Sequence, residues 1–226
     1  SITILRDGKL AATRKTSETN IMELAKLMIG REGGGVVNTT AHDGVLNRKV
    51  AMKIDHLSVY MAGEEVKDVS LEIHEGEIFG IGGLAGQGKI GIPNGIMGLY
   101  PAEGRAELFG SPLKLNDAGG ALRSGLAMVS EDRRGVGLLL DQSIEDNIAF
   151  NAMQIKGDFL SGIRGFLTQK TTPAIRKHAE GMIKDLDIRC TSSAQHAGTL
   201  SGGNQQKVCV ARALTMNPIF LFVSEP

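Results

Sequence analysis

The sequence predicts an α/β fold in which strands come first, then one glycine-rich strand-to-helix turn, an inserted helical subdomain and a closing buried strand. Three observations carry this. Val50, Met52, Ile54 and Leu57, and then Val69, Leu71 and Ile73, have the spacing of strands. The short apolar run Glu77–Ile81 leads straight into Gly82 and Gly83. Ile219–Val223 is continuously apolar, as in a parallel strand covered on both faces. The 226 residues are 42% hydrophobic and 22% charged, which fits a globular chain and excludes a disordered one. Thirty glycines with only 4% aromatics favour tight turns and close backbone approaches over a large stacking surface.

From the N-terminus, Ile2–Leu5 is a β-branched run, and Asp7-Gly8 marks a hairpin turn whose return strand is Leu10–Thr13. Asn20, with Glu23 three residues on, caps a helix carrying Ile21, Leu24, Ala25 and Met28 on one face, and Gly30 ends it. A hairpin and one helix bury little by themselves, so this segment is expected to belong to a larger preceding body. Gly33-Gly34-Gly35 and the polar stretch up to about Asn47 form a linker, and a new domain starts near Lys49. Ala106–Phe109 and Leu126–Ser130 are further strands. Ser143 opens a helix over Ile144–Phe150. Thr172-Pro173 opens another, with Pro at the first helical position and Ile175, Ala179, Met182, Ile183 and Leu186 facing the core. Ser201 caps a last helix that Asn217-Pro218 stops. A strand of central type just before Pro226 leads to the expectation that the domain is cut short there.

Several function classes are excluded. Lys+Arg and Asp+Glu both number 25, so no global basic field exists to hold nucleic acid or an anionic membrane. No apolar stretch approaches the roughly 18–20 residues that span a bilayer, and no export signal is expected. Cys190 and Cys209 are too few and too isolated for a disulfide framework or a zinc site, which suits a reducing compartment. His178 and His196 have no ligand spacing, and no metal ligands are assigned.

Gly83-Leu84-Ala85-Gly86-Gln87-Gly88-Lys89 matches the phosphate-loop pattern G-x-x-x-x-G-K after the predicted strand Glu77–Ile81, the context the motif requires. In such a loop, backbone N–H groups wrap phosphate oxygens and the lysine reaches the terminal phosphates. The next position calls for a Ser or Thr hydroxyl to bind Mg²⁺, and it is Ile90, which has no oxygen to offer. Gly91, Pro93 and Gly95 make the following helix weak. By pattern alone this is either a phosphate cradle or a glycine-rich turn that binds nothing. Leu200-Ser201-Gly202-Gly203-Asn204-Gln205-Gln206-Lys207 is the most specific string, in which Ser201 caps a helix and Gly202 and Gly203 leave room for an anion, although by itself Ser-Gly-Gly reads more readily as a flexible helix start.

Together these strings resemble the ATP-binding subunits of ABC transporters. Gly83–Lys89 looks like Walker A, Leu200–Gln205 like the signature motif, and Ile219–Glu225 like Walker B with its catalytic carboxylate. Ser130-Glu131-Asp132-Arg133-Arg134 and Gly137-Leu138, with the wording after Ser201, resemble more narrowly the second lobe of double-lobed ATPases that import simple sugars (ribose or galactoside type) or nucleosides. The runs Thr3–Lys9 and Leu24–Glu32 resemble the close of the first lobe.

The resemblance implies a P-loop NTPase core with a mixed sheet, an antiparallel β subdomain and an inserted helical subdomain at about Asp141–Gly198, truncated at the C-terminus. Residues 1–32 would be the tail of a preceding ATP-binding lobe, 33–48 a linker and 49–226 the ATP-binding domain. In this family two lobes sandwich two ATPs, each held by the Walker A of one lobe and the signature of the other. By position, Tyr60 would stack on adenine, and Gly83, Leu84, Ala85, Gly86, Gln87, Gly88, Lys89 and Ile90 would hold its phosphates. Ser201, Gly202, Gly203 and Gln205 would face the ATP of the other lobe. Glu225 would polarise the attacking water, and Glu131 occupies the place where the family usually has a Gln that contacts Mg²⁺ and the membrane subunits. Tyr60 reads equally as a half-buried strand tyrosine, and Glu131 equally as a charge in a solvated turn.

Ser224 stands where Walker B supplies an Asp, so two metal ligands are replaced. The expectation is ATP with weak or absent Mg²⁺ in this lobe, poor hydrolysis at its own site, and a signature serving the other. The resemblance implies an ATP hydrolase energising sugar uptake at the cytoplasmic face of the cell membrane. Its partners would be the first lobe of the same polypeptide, transmembrane permease subunits and, indirectly, a periplasmic-type sugar-binding protein, with no nucleic acid. A nucleoside importer and a non-hydrolytic nucleotide-binding regulatory module are the alternatives. A non-transport role in translation or DNA repair fits the neutral charge poorly.

Overall fold

The computed structural model describes residues 1–6, 9–29, 48–163 and 167–224. The predicted Asp7-Gly8 turn, the Gly30 helix stop, the linker up to Asn47 and Glu225 lie outside the described residues. The chain divides into two compact units, Ser1–Gly44 and Val45–Pro226.

In the first unit β1 (Ile2–Arg6) pairs antiparallel with β2 (Lys9–Arg14), and the register shifts between Ile4 and Leu5. Helix α1 (Ile21–Ile29) follows, and the Oδ1 of Asn20 accepts a hydrogen bond from the N–H of Glu23 at 2.9 Å, the cap expected from the sequence. Ile4 is buried, but only half of the expected α1 face is covered. Leu24 and Ala25 are half-buried while Ile21 and Met28 remain exposed.

The second unit opens with a four-stranded antiparallel sheet made of β3 (Val50–Val59), β4 (Val66–His74), β5 (Ala102–Leu108) and β6 (Ser111–Leu113), in the order β4-β3-β5-β6. Met52 sits opposite Ile73 on one side and Leu108 on the other, so one apolar face runs across three strands. β5 starts at Ala102, ahead of the expected Ala106, and stops before Phe109, whose φ is +49°. Its first half, Ala102-Glu103-Gly104-Arg105, has no apolar alternation and is strand because β3 pairs with it. Gly104 lies so close to β3 that a Cβ there would be 2.4 Å from the His56 carbonyl oxygen.

Helix α2 (Gly91–Ile96) is six residues long and wholly buried. Ile92 and Ile96, with Met97, pack on Leu57, Val59 and Val66 in the first core cluster. Helix α3 (Ala118–Arg123), which has no apolar period to announce it, begins where the Asp117 Oδ1 accepts from the Gly120 N–H at 2.8 Å.

A second layer holds β7 (Leu126–Val129) and the helices α4 (Ile144–Asn151), α5 (Thr172–Asp185) and α6 (Gly202–Thr215). The Ser143 hydroxyl caps α4 by accepting from the Asp146 N–H at 3.0 Å, and Pro173 sits in the first turn of α5. Ile144, Ile148, Ala179 and Val208 meet Ala127 and Val129 in the second core cluster. Between α4 and α5 the sequence reading expected only helix. The chain also makes a hairpin there, β8 (Leu160–Ile163) with β9 (Leu167–Lys170).

β10 (Phe220–Val223) runs parallel to β7, with Val223 opposite Val129. Two expectations are corrected here. β10 is not covered on both faces, since Phe220, Leu221 and Phe222 are half-buried and Val223 is exposed. Glu77–Ile81 is not a strand, and Ile78 is 95% exposed. An apolar run becomes a strand only where a ladder receives it, and among the described residues the parallel sheet consists of β7 and β10 alone.

Candidate functional site

The segment that was expected to cradle phosphate is an exposed loop from Gly82 to Gln87 that tucks in at Gly88. Gly86 and Gly88 have φ of +81° and +82°, a conformation that side chains with a Cβ rarely adopt. The loop is pinned by the turn between β3 and β4. A Cβ at Gly88 would be 2.6 Å from the Glu65 carbonyl oxygen, one at Gly91 2.2 Å from that of Glu64, and one at Gly95 2.4 Å from Val59 Cγ2. The glycines that make α2 a poor helix by propensity therefore let it lie directly on the sheet. Close packing overrides local preference.

Glu64 completes this contact. Its Oε1 accepts from the Gly86 N–H at 2.7 Å and its Oε2 from the Ile90 N–H at 3.4 Å. The residue is 9% exposed. The Gly86 N–H holds its carboxyl below the usual carboxylate range, with the N–H groups of Ile90 and Gly88 and the charge of Lys89 adding to this against the opposing effect of burial. Loop N–H groups four residues apart thus point at the two oxygens of one carboxylate, an anion-binding concavity. N–H groups that hold one oxyanion can hold another, so this donor set is compatible with a phosphate. Sequence reading missed Glu64, which lies 22 residues before Gly86. Its neighbours Gly63 and Glu65 form an ordinary polar turn, and nothing in the local pattern distinguishes it.

Tyr60 follows β3 in the same turn region, and its N–H donates to the Pro101 carbonyl at 2.9 Å. Its ring is 55% exposed, more open than a half-buried strand tyrosine, and the nearby Glu103 carboxylate pushes its phenol pKa up. Leu84, Ala85 and Gln87 are exposed, and Lys89 and Ile90 are half-buried.

A second group gathers where β7 and β10 end. Ser224 N–H donates to the Val129 carbonyl at 3.0 Å, and Glu131, half-buried, follows Ser130, whose hydroxyl reaches the Glu131 Oε2 at 3.5 Å. The parallel pairing thus brings Ser224 and Glu131 to one strand end, the usual place for ligand groups in open α/β sheets. Ile90 has no side-chain oxygen, and Ser224 offers a neutral hydroxyl.

At the head of α6, Ser201 has the extended backbone of a cap (φ −62°, ψ 155°), but its hydroxyl accepts from the Asn204 side-chain amide at 3.0 Å in place of a backbone N–H. Asn204 Oδ1 in turn accepts from the Arg189 N–H at 2.9 Å. Ser201, Gly202 and Gly203 are exposed. Gln205 is 3% exposed and donates to the Ala197 carbonyl at 3.3 Å, so it faces the interior and braces the helix start, unlike its exposed neighbours. Arg212, also on α6, donates to the Gly137 carbonyl at 2.7 Å and to Asn151 Oδ1 at 2.8 Å, which ties the Glu131–Leu138 segment to this helix. His178 bonds Thr215 and His196 is exposed, so neither joins the site. A cavity of about 550 Å³ beside α5, lined by Arg176, Lys184 and Cys190, is distinct from all these residues.

Comparison with known proteins places this geometry. Residues 66–226 match the family model described as ABC transporter, well over half of the chain. The chain belongs to the ABC transporter family. Its P-loop fold agrees with solved ABC ATPases. A dimeric ATP-binding cassette in a post-hydrolysis state bound to ADP and Pi matches with a TM-score of 0.59 and 26% identity, covering 76% of this chain and 72% of that one. The cbiO1 protein of Clostridium perfringens matches with a TM-score of 0.56 over 79% of this chain and 66% of its own, at 21% identity, a likeness of fold alone. Among curated relatives, the ribose import ATP-binding protein of Lactococcus lactis subsp. lactis is 34% identical and the xylose import ATP-binding protein of Moorella thermoacetica 33% identical. Both align with 100% of this chain, which spans less than half of their lengths, 43% and 44%.

Proposed function

We propose that this chain is the second ATP-binding lobe of a double-lobed ABC importer ATPase that energises uptake of a simple sugar, with a degenerate ATP site of its own. The observation that carries the degenerate site is the donor set. The nest of Gly86, Gly88 and Ile90 N–H groups with Lys89 suits phosphates, while Ile90 and Ser224 leave Mg²⁺ without two of its protein ligands. Bound Mg²⁺ ordinarily bridges the β- and γ-phosphates and supplies much of the stabilisation of phosphoryl transfer. In this lobe Lys89 and the loop N–H groups bind and orient the phosphates, Tyr60 offers an exposed ring to the base, and Glu225 is placed by sequence as the group that would take the proton of water. Binding is weak and little helped by Mg²⁺, and hydrolysis is slow.

The exposed Ser201-Gly202-Gly203 tip serves the ATP held by the first lobe, so the working unit is an asymmetric pair. The relatives named for ribose and xylose favour a sugar over a nucleoside as cargo. Permease subunits, and through them a sugar-binding protein, are the partners, at the cytoplasmic face of the membrane. Among the described residues no helix is long and apolar enough to cross a bilayer. The second reading, a nucleotide-holding module that hydrolyses nothing, is favoured by the same missing ligands.

The test exchanges one lobe at a time in the intact double-lobed protein. Lys89→Ala should leave substantial Mg²⁺-dependent phosphate release, and the matching first-lobe lysine change should abolish it. Equal loss from both overturns the asymmetric pair. Absence of any turnover in the intact protein favours the silent module.

A further inference from the structure

Glu64 does more than decorate the loop. Both of its oxygens lie on loop N–H groups, at 2.7 Å from Gly86 and 3.4 Å from Ile90, and it is 9% exposed. Its own N–H donates to the Met61 carbonyl at 2.9 Å, which closes the turn that delivers the side chain. Each backbone N–H donates one good hydrogen bond, so a phosphate and this carboxylate cannot use the same donors together. Two anions at that spacing also repel. The turn is crowded against the loop, with the Gly63 carbonyl oxygen 3.3 Å from where a Cβ at Gly86 would lie. Gly63 itself has φ +80° and open space around it.

We propose that Glu64 is a built-in occupant of the phosphate cradle, a carboxylate plug that a polyphosphate must displace in order to bind. The inference rests on the reading of Gly83–Lys89 as a phosphate cradle. The plug adds a second brake on this lobe, independent of the missing metal ligands. Apparent affinity equals intrinsic affinity reduced by the fraction of molecules in which the carboxylate has swung out. The plug also balances the charge of Lys89 and satisfies otherwise bare loop donors while no ligand is bound. With Gly63 the turn has the backbone freedom to release it.

The experiment measures binding of inorganic pyrophosphate and of ATP to the whole chain without added metal. Glu64→Gln keeps the shape of the side chain but removes its charge and should tighten both by about tenfold or more, the worth of one charge-assisted hydrogen bond. Glu65→Gln is the control, because that side chain is exposed and faces Lys67 at 3.7 Å. It should change binding by less than about twofold, as expected of a screened surface charge. Glu64→Gln binding that is no tighter than the parent's overturns the plug, as does an equal gain from Glu65→Gln. Lys89→Ala separates the two levels. If it weakens binding while Glu64→Gln does nothing, the cradle stands and the plug falls. If it leaves binding by the parent and by Glu64→Gln unaffected, the cradle reading itself falls.

Should Glu64→Gln lose cooperative folding, the unaltered chain still decides. Saturating pyrophosphate should shift the side-chain carboxylate ¹³C resonance of Glu64 to that of a solvated glutamate. An unmoved resonance at saturation overturns the proposal.

Discussion

Alanine at Gly91 should destabilise the protein, although alanine is the better helix former. Replacing glycine inside a helix ordinarily gains about 1 kcal/mol. At Gly91, however, the new Cβ would lie 2.2 Å from the Glu64 carbonyl oxygen and 2.8 Å from Val66 Cγ2, where ordinary contact begins at 3.4 Å. The nearest obstacle is backbone in a paired turn, so α2 must shift as a body, and all six of its residues are buried. Overpacking of this kind costs about 1–3 kcal/mol and more when backbone blocks relaxation. The clash therefore wins, for a net loss of up to about 2 kcal/mol.

Gly181 provides the internal comparison, since it lies exposed on α5 and a Cβ there meets nothing within 4 Å. Gly181→Ala should stabilise by about 0.5–1 kcal/mol. Urea unfolding followed by circular dichroism reads both. With slopes of about 1–3 kcal/mol per molar, the two midpoints should separate by on the order of 1 M, Gly91→Ala below the parent and Gly181→Ala above it. Equal rises for the two variants would show that α2 is not pressed against the Glu64–Val66 backbone. The account of the loop as clamped by that turn would then fail with it.

Three more expectations follow from the same coordinates. Asn147, fully buried, holds the Leu139 N–H at 2.8 Å and the carbonyls of Leu139 and Ser143, both at 2.9 Å. Asn147→Leu should cost about 2–4 kcal/mol by thermal or urea unfolding, because backbone groups lose their partner, and a loss under about 0.5 kcal/mol would contradict that role. Glu145 is buried and takes two hydrogen bonds from Arg176, which holds its carboxyl below the usual range, and one from Ser193. A depressed folded-state pKa means that its stabilisation is complete above the unfolded value and is lost as pH falls through the folded one. The urea midpoint should therefore drop as pH falls below the ordinary glutamate value of about 4.3, less steeply in Glu145→Gln, and equal slopes would argue against the pair. Asp117→Ala removes the cap of α3, made to the Gly120 N–H at 2.8 Å, and should cost about 1 kcal/mol in the same assay.

Much of the architecture was legible in the residue order. The spacing of Val50–Leu57 and Val69–Ile73, the caps at Asn20 and Ser143, and the Pro173 helix start are local signals, and each element formed around its signal. So were the strings that carry the family, because glycine placement, the missing hydroxyl at Ile90 and the missing carboxylate at Ser224 are properties of residue type alone. Where local signal was absent the reading fell short. The first half of β5 is strand only because β3 lies beside it, and the β8–β9 hairpin sits among residues without clear alternation. Glu77–Ile81 had the signal but no ladder to join, so an apolar pentapeptide stayed exposed.

The sequence by itself determined which chemical groups the chain can offer: a loop of the G-x-x-x-x-G-K pattern, a signature string, and Ile90 and Ser224 where the family pattern has a hydroxyl and a carboxylate. Only the tertiary structure decided which groups meet. It set Glu64 into the nest of a loop 22 residues away, turned Gln205 inward beside exposed Ser201, and brought Glu131 and Ser224 to one strand end. The reason is that donors, carboxylates and glycines are fixed residue by residue, whereas a contact between distant segments depends on which backbones can approach closely enough. Here that approach is granted by missing side chains at Gly88, Gly91 and Gly95, whose partners no local pattern names.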